Sequence, residues 1–577
     1  MKSNQLEELL TNYVNSRNIG DLMWSLGSME ARWAYLPDAL KSKLKSAIEV
    51  AGQQFSAYAL SSALWALAKM GVNWNWLTIQ VRECITARLM ELSEDMNPQQ
   101  SSKSVWALGS LRCPRDAVSM QCLEMLSTNM NKIKRSQTGS GIASSQLLTG
   151  LAKMQLDWKM LSDSMRSDVL EHIVRVCHTT NDRGIANSVW SLGSMRVPKV
   201  QMSNSIRTTV FRGSASALRS CSHWSLSNIL WGLARCGFEW SELGDELREA
   251  IMANVARVAD QMNSVDVGVV VWSLGSMEAP LYSLPKFFKE AILAATEVNL
   301  ESVKSQELAS LIWGFSGCGM SWDMLPPTTA WSLNVALRRL GNDLSAQDVA
   351  NCAYGLALLA FDAANPSDPA FRGAHEVILN AVVKASRALS GCHKELEQLR
   401  IFAQYMELRK EVTDVQKLPK ELLQDSSEDA PAAQISSSQL QTRVVEGVRI
   451  GLLELGHAAS EFRIVNEVSS FNGVFPVDAI IFRRGEVIAM VEIDGPSHYR
   501  DDGQLRRKDL LKEHMYTMLH PRSMFRRVRW DEANKLGADV VGAEIADEIL
   551  QTAETLNPGN IQTWVDGVIG VVKKVLA

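Results

Sequence analysis

The chain has 577 residues, 46% hydrophobic and 21% charged, with a formal net charge of −5. That length is too great for one core, and no apolar run reaches the roughly 18 residues of a membrane span. The net acidity argues against unselective phosphate binding, while leaving room for local basic surfaces. Nine scattered cysteines, an odd number with no CxxC among them, read as reduced, mostly buried thiols and argue against secretion and against a zinc site. The first ten residues, MKSNQLEELL, resemble neither a secretory signal nor an Arg-rich transit peptide.

Self-similarity dominates the next 350 or so residues. Segments reading W-S/A-L-G-S-M/L start at Trp24, Trp106, Trp190 and Trp272. Between them lie segments close to W-A/G-L-A-K-M-G, at Trp65, Thr149, Trp231 and Trp313, and a weaker copy is centred on Tyr354. The steps between these nine anchors are 41, 41, 43, 41, 41, 41, 41 and 41 residues. The first type carries Pro eight residues after the anchor in three copies (Pro114, Pro198, Pro280), where it is expected to stop a helix. The second carries Trp nine residues after it in all four (Trp74, Trp158, Trp240, Trp322), expected to pack over a helix end.

Within one unit, Ser56 to Met70 is apolar, Gly71 breaks it, and Trp76 to Leu92 follows with 3.6-residue periodicity. That predicts helix, turn, helix. Stacked copies share the core that one pair cannot build, so an α-solenoid of about nine repeats is expected over residues 1–412.

The first helix of each unit has apolar residues just before the anchor, two after it and five after it, which form one core stripe. Four before the anchor and three after it only Gly, Ala or Ser occurs, which allows helices to approach closely. The anchor points away from the Leu stripe and is expected to pack against another layer. Three before the anchor stand Asp21, Ser62, Lys103, Gln146, Asn187, Asn228, Val269, Ser310 and Asn351, polar in eight of nine units and varied in identity. A fixed, polar, variable position suits a reader of one RNA base per repeat; it equally suits a solvated groove with no ligand.

A tail helix is expected at Glu395 to Val412. Residues 413–438, including QDSSEDAPAAQISSS, read as a flexible linker. In 439–577 the texture changes. A helix is predicted from Gln439 to Leu455, a strand at Val477 to Phe482, a turn at Arg484-Gly485, a strand at Val487 to Ile493, a helix from Gln504 to Leu519 and a strand at Phe525 to Trp530. This is a small α/β domain.

Val477-Asp478, Val491-Glu-Ile-Asp-Gly-Pro-Ser-His-Tyr499, Leu505-Arg-Arg-Lys-Asp-Leu-Leu511 and Val528-Arg-Trp530 resemble the RAP domain, over roughly 476–535. The repeats more loosely resemble those of FAST-kinase-like and octotricopeptide-type proteins. The resemblance implies organelle RNA binding, mitochondrial or alternatively plastid, in transcript stability, processing, translation or the ribosome. It also implies a fold similar to PD-(D/E)XK nucleases, whose metal-binding carboxylates would correspond to Asp478 and Glu492. Two such carboxylates could hold Mg²⁺ and activate water. The Lys usual two residues after the Glu is Asp494 here, with His498 nearby, so the set Asp478, Glu492, Asp494 and His498 is incomplete. Binding without cleavage, and with no cofactor, is the expectation; a metal-dependent ribonuclease is the alternative.

From Arg500 to Arg529 nine cations, among them Arg500, Arg506, Arg507, Lys508, Arg526 and Arg527, face four carboxylates (Asp501, Asp502, Asp509, Glu513). A local basic surface suited to phosphate is expected there. The partner is expected to be single-stranded or ribosomal RNA, bound by a free factor or by a ribonucleoprotein subunit such as a mitochondrial ribosomal protein. A protein–protein scaffold is the remaining alternative, since α-solenoids also bind peptides.

Overall fold

The computed structural model describes residues 16–132, 139–361, 363, 368–385, 393–409, 422, 439–455, 461–470, 475–500 and 503–555. The N-terminal decapeptide, Cys392, the end of the expected tail helix and the expected linker (Leu422 apart) lie outside them. The fold is mostly helical, with a small four-stranded mixed sheet. No helix among the described residues is long and apolar enough to cross a membrane. The chain divides into two compact units, 1–279 with 284–295, and 280–283 with 296–577. This division falls inside the helical region, and the α/β domain groups with the last helices.

The first unit runs α1 (Ser16–Ser28), α2 (Asp38–Ala51), α3 (Ala57–Lys69), α4 (Ile79–Leu92), α5 (Pro98–Ser110) and α6 (Met120–Met130). It continues with α7 (Ser140–Lys153), α8 (Asp163–Thr179), α9 (Asp182–Ser194), α10 (Asn204–Leu218), α11 (His223–Arg235), α12 (Asp245–Val258) and α13 (Ser264–Ser276). Odd-numbered helices carry the anchors, and from α1 to α11 each packs on the next odd-numbered one. Even-numbered helices pack likewise on one another, as α2 on α4 and α8 on α10. Polar caps start the anchor helices: Ser56 Oγ accepts from Ala59 N, Asn97 forms a capping box with Gln100, and Asn263 one with Asp266. The predicted core stripe is buried, as at Leu64, Leu67 and Met70 or Val189, Leu192 and Met195, except at Met29 in the first repeat, which is exposed. Each such side chain contributes about 1.5–3 kcal/mol.

Every anchor helix from α1 to α13 ends six residues after its anchor in a left-handed residue: Glu30, Gly71, Arg112, Gln155, Arg196, Gly237 and Glu278, with φ from 53° to 83°. These residues close the last turn, as where Gly71 N donates to Ala68 O and Val72 N to Leu67 O. Pro114 and Pro198 therefore come two residues too late to stop their helices. Three residues further on from the left-handed position, the backbone N–H reaches into the following unit. Trp33 N donates to Met70 O, Trp74 N to Leu111 O, Trp158 N to Met195 O, Lys199 N to Cys236 O and Trp240 N to Met277 O, at 2.7–2.9 Å. The four second-type tryptophans are buried, and Trp74, Trp158 and Trp240 each supply a donor to a helix-end carbonyl of the next repeat.

The second unit opens with α14 (Lys286–Asn299), which straddles the division, then α15 (Ser305–Gly317), α16 (Pro327–Leu340), α17 (Ala346–Ala360), α18 (Pro369–Ala385) and α19 (His393–Leu408). The α/β domain follows: α20 (Gln439–Glu454), β1 (Phe462–Ser470), β2 (Phe475–Arg483), β3 (Glu486–Asp494), α21 (Arg507–Leu519), β4 (Met524–Arg529), α22 (Trp530–Leu536) and α23 (Ala538–Thr555). The sheet order is β1-β2-β3-β4; the first three strands are antiparallel, and β4 joins β3 in parallel after the α21 crossover. Val445, Val448, Ile481, Val491, Val541 and Ile545 pack between one sheet face and α20 and α23. Tyr516 of α21 covers the other face over Val477, Ile480 and Met490. Strand β1 and helices α22 and α23 are additions to the elements expected from sequence.

Candidate functional site

Strand β3 carries Glu492 and Asp494 to the end of the sheet, and β2 brings Asp478 alongside. Asp478 accepts hydrogen bonds from Gln441 Nε2 at 2.5 Å and from Ile493 N at 2.6 Å. Burial raises its pKa, against the opposing pull of the Ile493 amide and Lys512. Glu492 is also buried, which raises its pKa, and its Oε1 accepts from Lys512 Nζ at 2.5 Å. Glu492 Oε2 has no hydrogen-bond partner. Lys512 itself is buried, and it also donates to Pro476 O at 2.6 Å. Helix α21 thus sets an ammonium against Glu492.

Asp494 is fully buried and takes two bonds of 2.8 Å from Arg527 Nη1 and one of 3.0 Å from Tyr499 Oη. His498 Nδ1 lies 2.9 Å from Asp509 Oδ1 and 3.4 Å from Asp494 Oδ1. The Asp509 bond raises the His498 pKa, against burial. Burial opposes the Arg527 charge, but Asp494 and Glu513 outweigh it and raise its pKa.

Donor atoms of Glu492, Asp494 and His498 all lie within 4.8 Å of one another, a set that leaves out Asp478. A hard divalent ion asks for about six oxygen ligands. Here both Asp494 oxygens bind Arg527, and one Glu492 oxygen binds Lys512. Two cations already neutralise the carboxylates, so the residues as arranged do not fit Mg²⁺. They make a network of buried ion pairs that ties β3, β4 and α21 together.

The expected basic surface is not a single face. Arg527 turns inward to Asp494, to Glu513 at 2.9 Å and to Asp509 O. Arg507 leaves the domain: its guanidinium lies 4.5 Å from the Phe361 ring centroid and donates to Leu358 O at 2.6 Å and Met320 O at 3.1 Å. Arg526 pairs with Glu532 and Glu548, and Arg506 Nε donates to Ser497 O. Arg500 closes a turn through backbone bonds with Gln504 and Gly503. Lys508 is exposed. Counting charges along 500–529 overlooked Glu492, Asp494, Glu532 and Glu548, which the fold brings in from outside that window.

On the anchor helices, the position three before the anchor lies on the open face. Asp21 is exposed; Lys103, Gln146, Asn187, Asn228, Ser310 and Asn351 are half-buried, and Ser62 is buried. The anchors share that face. Trp24 is 46% exposed, and Trp65, Trp106, Trp190, Trp231 and Trp272 are half-buried, whereas Thr149 is buried. The anchor therefore does not pack against another layer as expected. Helical geometry explains this: seven before, three before, at and four after the anchor fall on one stripe, opposite the core leucines.

That stripe is rich in cations, which the sequence reading missed. Lys69 Nζ lies 5.8 Å from the Trp65 centroid, Lys153 Nζ 5.9 Å from Trp106, Arg235 5.7 Å from Trp231, and Arg183 5.9 Å from Trp224. The recurrence of Lys or Arg four residues after Trp65, Thr149 and Trp231 was the available signal.

No protein-family model matches the chain, and a search of curated proteins finds no match. Among known structures the chain is similar to one described as a homology model of the full-length AP-3 complex in an intermediate open conformation. The two are 10% identical with a TM-score of 0.31, over 71% of this chain and 78% of that one. A likeness at that level carries no functional argument.

Proposed function

We propose that the protein binds RNA in an organelle, mitochondrial in the first instance and plastid in the second, through a nine-repeat α-solenoid followed by a RAP-type, nuclease-like domain. The observation that carries this reading is the varied polar position before each anchor, which lies on the open face in seven of its eight polar copies. Amides and hydroxyls placed once per repeat can hydrogen-bond the edges of unpaired bases. The α/β domain then holds rather than cuts, because Glu492 and Asp494 are already paired with Lys512 and Arg527.

Crosslinking in cells followed by sequencing of the bound RNA tests this. One defined transcript supports a free factor, ribosomal RNA supports a ribonucleoprotein subunit, and no RNA supports a protein scaffold instead. With the RNA in hand, Asn187→Ala and Asn228→Ala should each weaken binding several-fold, on the order of 1 kcal/mol for a lost hydrogen bond. Unchanged affinity in both variants removes the base-reading role. RNA incubated with the protein and Mg²⁺ or Mn²⁺ should stay intact. Cleavage that Asp478→Ala abolishes would replace binding by a ribonuclease.

A further inference from the structure

We infer that the anchor tryptophans of the first unit form a stacking ladder for the bases of single-stranded RNA. This rests on the RNA-binding reading and names the chemistry by which the groove would grip its ligand. Trp65, Trp106, Trp190, Trp231 and Trp272 recur at one register position on helices that pack side by side in chain order. All are half-buried, so each is held by packing yet keeps part of its surface open to solvent. The rings of Trp190 and Trp231 lie 6.1 Å apart with planes inclined by 25°, so neighbouring helices present them nearly parallel.

The charge on the stripe points the same way. Across the six helices α3, α5, α7, α9, α11 and α13, the positions seven before, three before, at and four after the anchor carry five cations and no carboxylate. Those cations are Lys69, Lys103, Lys153, Arg183 and Arg235, in a chain whose net charge is −5. Four of them sit 5.7–5.9 Å from a tryptophan centroid. Flat aromatic rings interleaved with cations fit a flexible polyanion that carries flat rings of its own. A folded protein partner offers no such repeat, and a duplex keeps its bases inside the stack. Stacking tolerates any base, so the ladder supplies grip while the polar position before each anchor supplies choice.

The test uses the full chain with four probes of equal length: oligoadenylate, the matching deoxyoligonucleotide, an abasic ribose-phosphate strand and duplex RNA. Oligoadenylate should quench tryptophan fluorescence and bind most tightly. The abasic strand should bind weakly without quenching. Trp190→Leu with Trp231→Leu should lower oligoadenylate affinity by about tenfold or more. Trp106→Leu gives an independent reading should that pair unfold, with far-UV circular dichroism as the check. Lys69→Gln, Lys153→Gln and Arg235→Gln together should lower affinity and flatten its salt dependence by about two units of slope.

Wild-type affinity in the tryptophan variants beside a loss in the cation variant would overturn the ladder and leave RNA binding standing on phosphate contacts. Equal affinity for the abasic strand would do the same. Tighter binding of the deoxyoligonucleotide would overturn RNA as the ligand. No binding of any probe at low salt would overturn both the ladder and the reading beneath it.

Discussion

Asp494 shows how one side chain acquires its role from the fold. Its carboxylate, fully buried, is compensated by Arg527 from β4 and by Tyr499, with His498 at the margin. Breaking a buried pair of this kind costs about 3–5 kcal/mol, so the network is a structural commitment of the domain. His498 gives it a measurable pH dependence. Its folded pKa lies above the unfolded value of 6.5, chiefly because Asp509 accepts its proton. The associated stability is fully present below pH 6.5 and is lost as pH rises through the folded value. Asp478 and Glu492 also have raised pKa values, so their contributions fall with pH as well, from the ordinary carboxylate range upward. The difference between wild type and His498→Gln isolates the histidine: it should be largest below pH 6.5 and shrink above it. Denaturant midpoints across that range measure it, and parallel curves would exclude the effect. In sequence, Glu492, Asp494 and His498 were legible as a cluster, to which the expected Asp478 does not belong. Lys512 and Arg527 were not, because α21 packed on the sheet brings the first and the pairing of β3 with β4 brings the second.

At the scale of the elements, one rule repeats: an anchor helix, a left-handed terminator, and a backbone donor into the next repeat. Two glycines show how tight the packing is. A Cβ on Gly232 would overlap the carbonyl of Val189, and one on Gly150 that of Val105. The obstacle is backbone, which cannot rotate aside. Gly232→Ala should therefore destabilise the first unit by about 1–3 kcal/mol, against the small gain in helix propensity that Ala brings elsewhere. The terminators predict the opposite sign. Arg112 is exposed and held at a φ of 57°, where an L-residue is strained. Arg112→Gly should stabilise by about 0.5–1 kcal/mol once the greater freedom of unfolded Gly is deducted. Thermal unfolding separates the two variants, and a shift of the same sign in both would break the argument. The 41-residue spacing made the paired helices legible, and Gly71 marked its own helix end. Arg112, Arg196 and Glu278 hid theirs, because nothing in those side chains announces a left-handed backbone, and the prolines after them drew attention instead. Strand β1 was hidden for another reason: it lies at a sheet edge, Phe462 and Ile464 are only partly buried against the core, and Val465 and Asn466 break the alternation after two apolar positions.

For the molecule as a whole, the division at residues 279–296 matters more than the change of texture near residue 439. The α/β domain belongs to the same compact unit as α15 to α19, and Arg507 is a principal reason. It sits at the first residue of α21, stacks on Phe361, and donates to two carbonyls, those of Leu358 and Met320. The Leu358 carbonyl lies in the last turn of α17, where intrahelical donors run out. The guanidinium therefore fills a need that the helix leaves open. His514, one face further along α21, lies 5.7 Å from the same Phe361 ring. Two charge-assisted hydrogen bonds and a cation–π contact at a partly desolvated site together stabilise the contact by about 3 kcal/mol or more. Arg507→Ala should leave the first unit untouched and loosen this one. In hydrogen exchange, the amides of α21 and of the end of α17 should lose protection together, by roughly a hundredfold for 3 kcal/mol, while α3 to α13 keep theirs. Arg507→Lys keeps the charge but cannot present the planar fork to two carbonyls and the ring at once, so it should recover only part of the protection. If α21 loosens and the end of α17 does not, the α/β domain is held by other contacts, and Arg507 becomes available to the ligand that the sequence reading assigned to it.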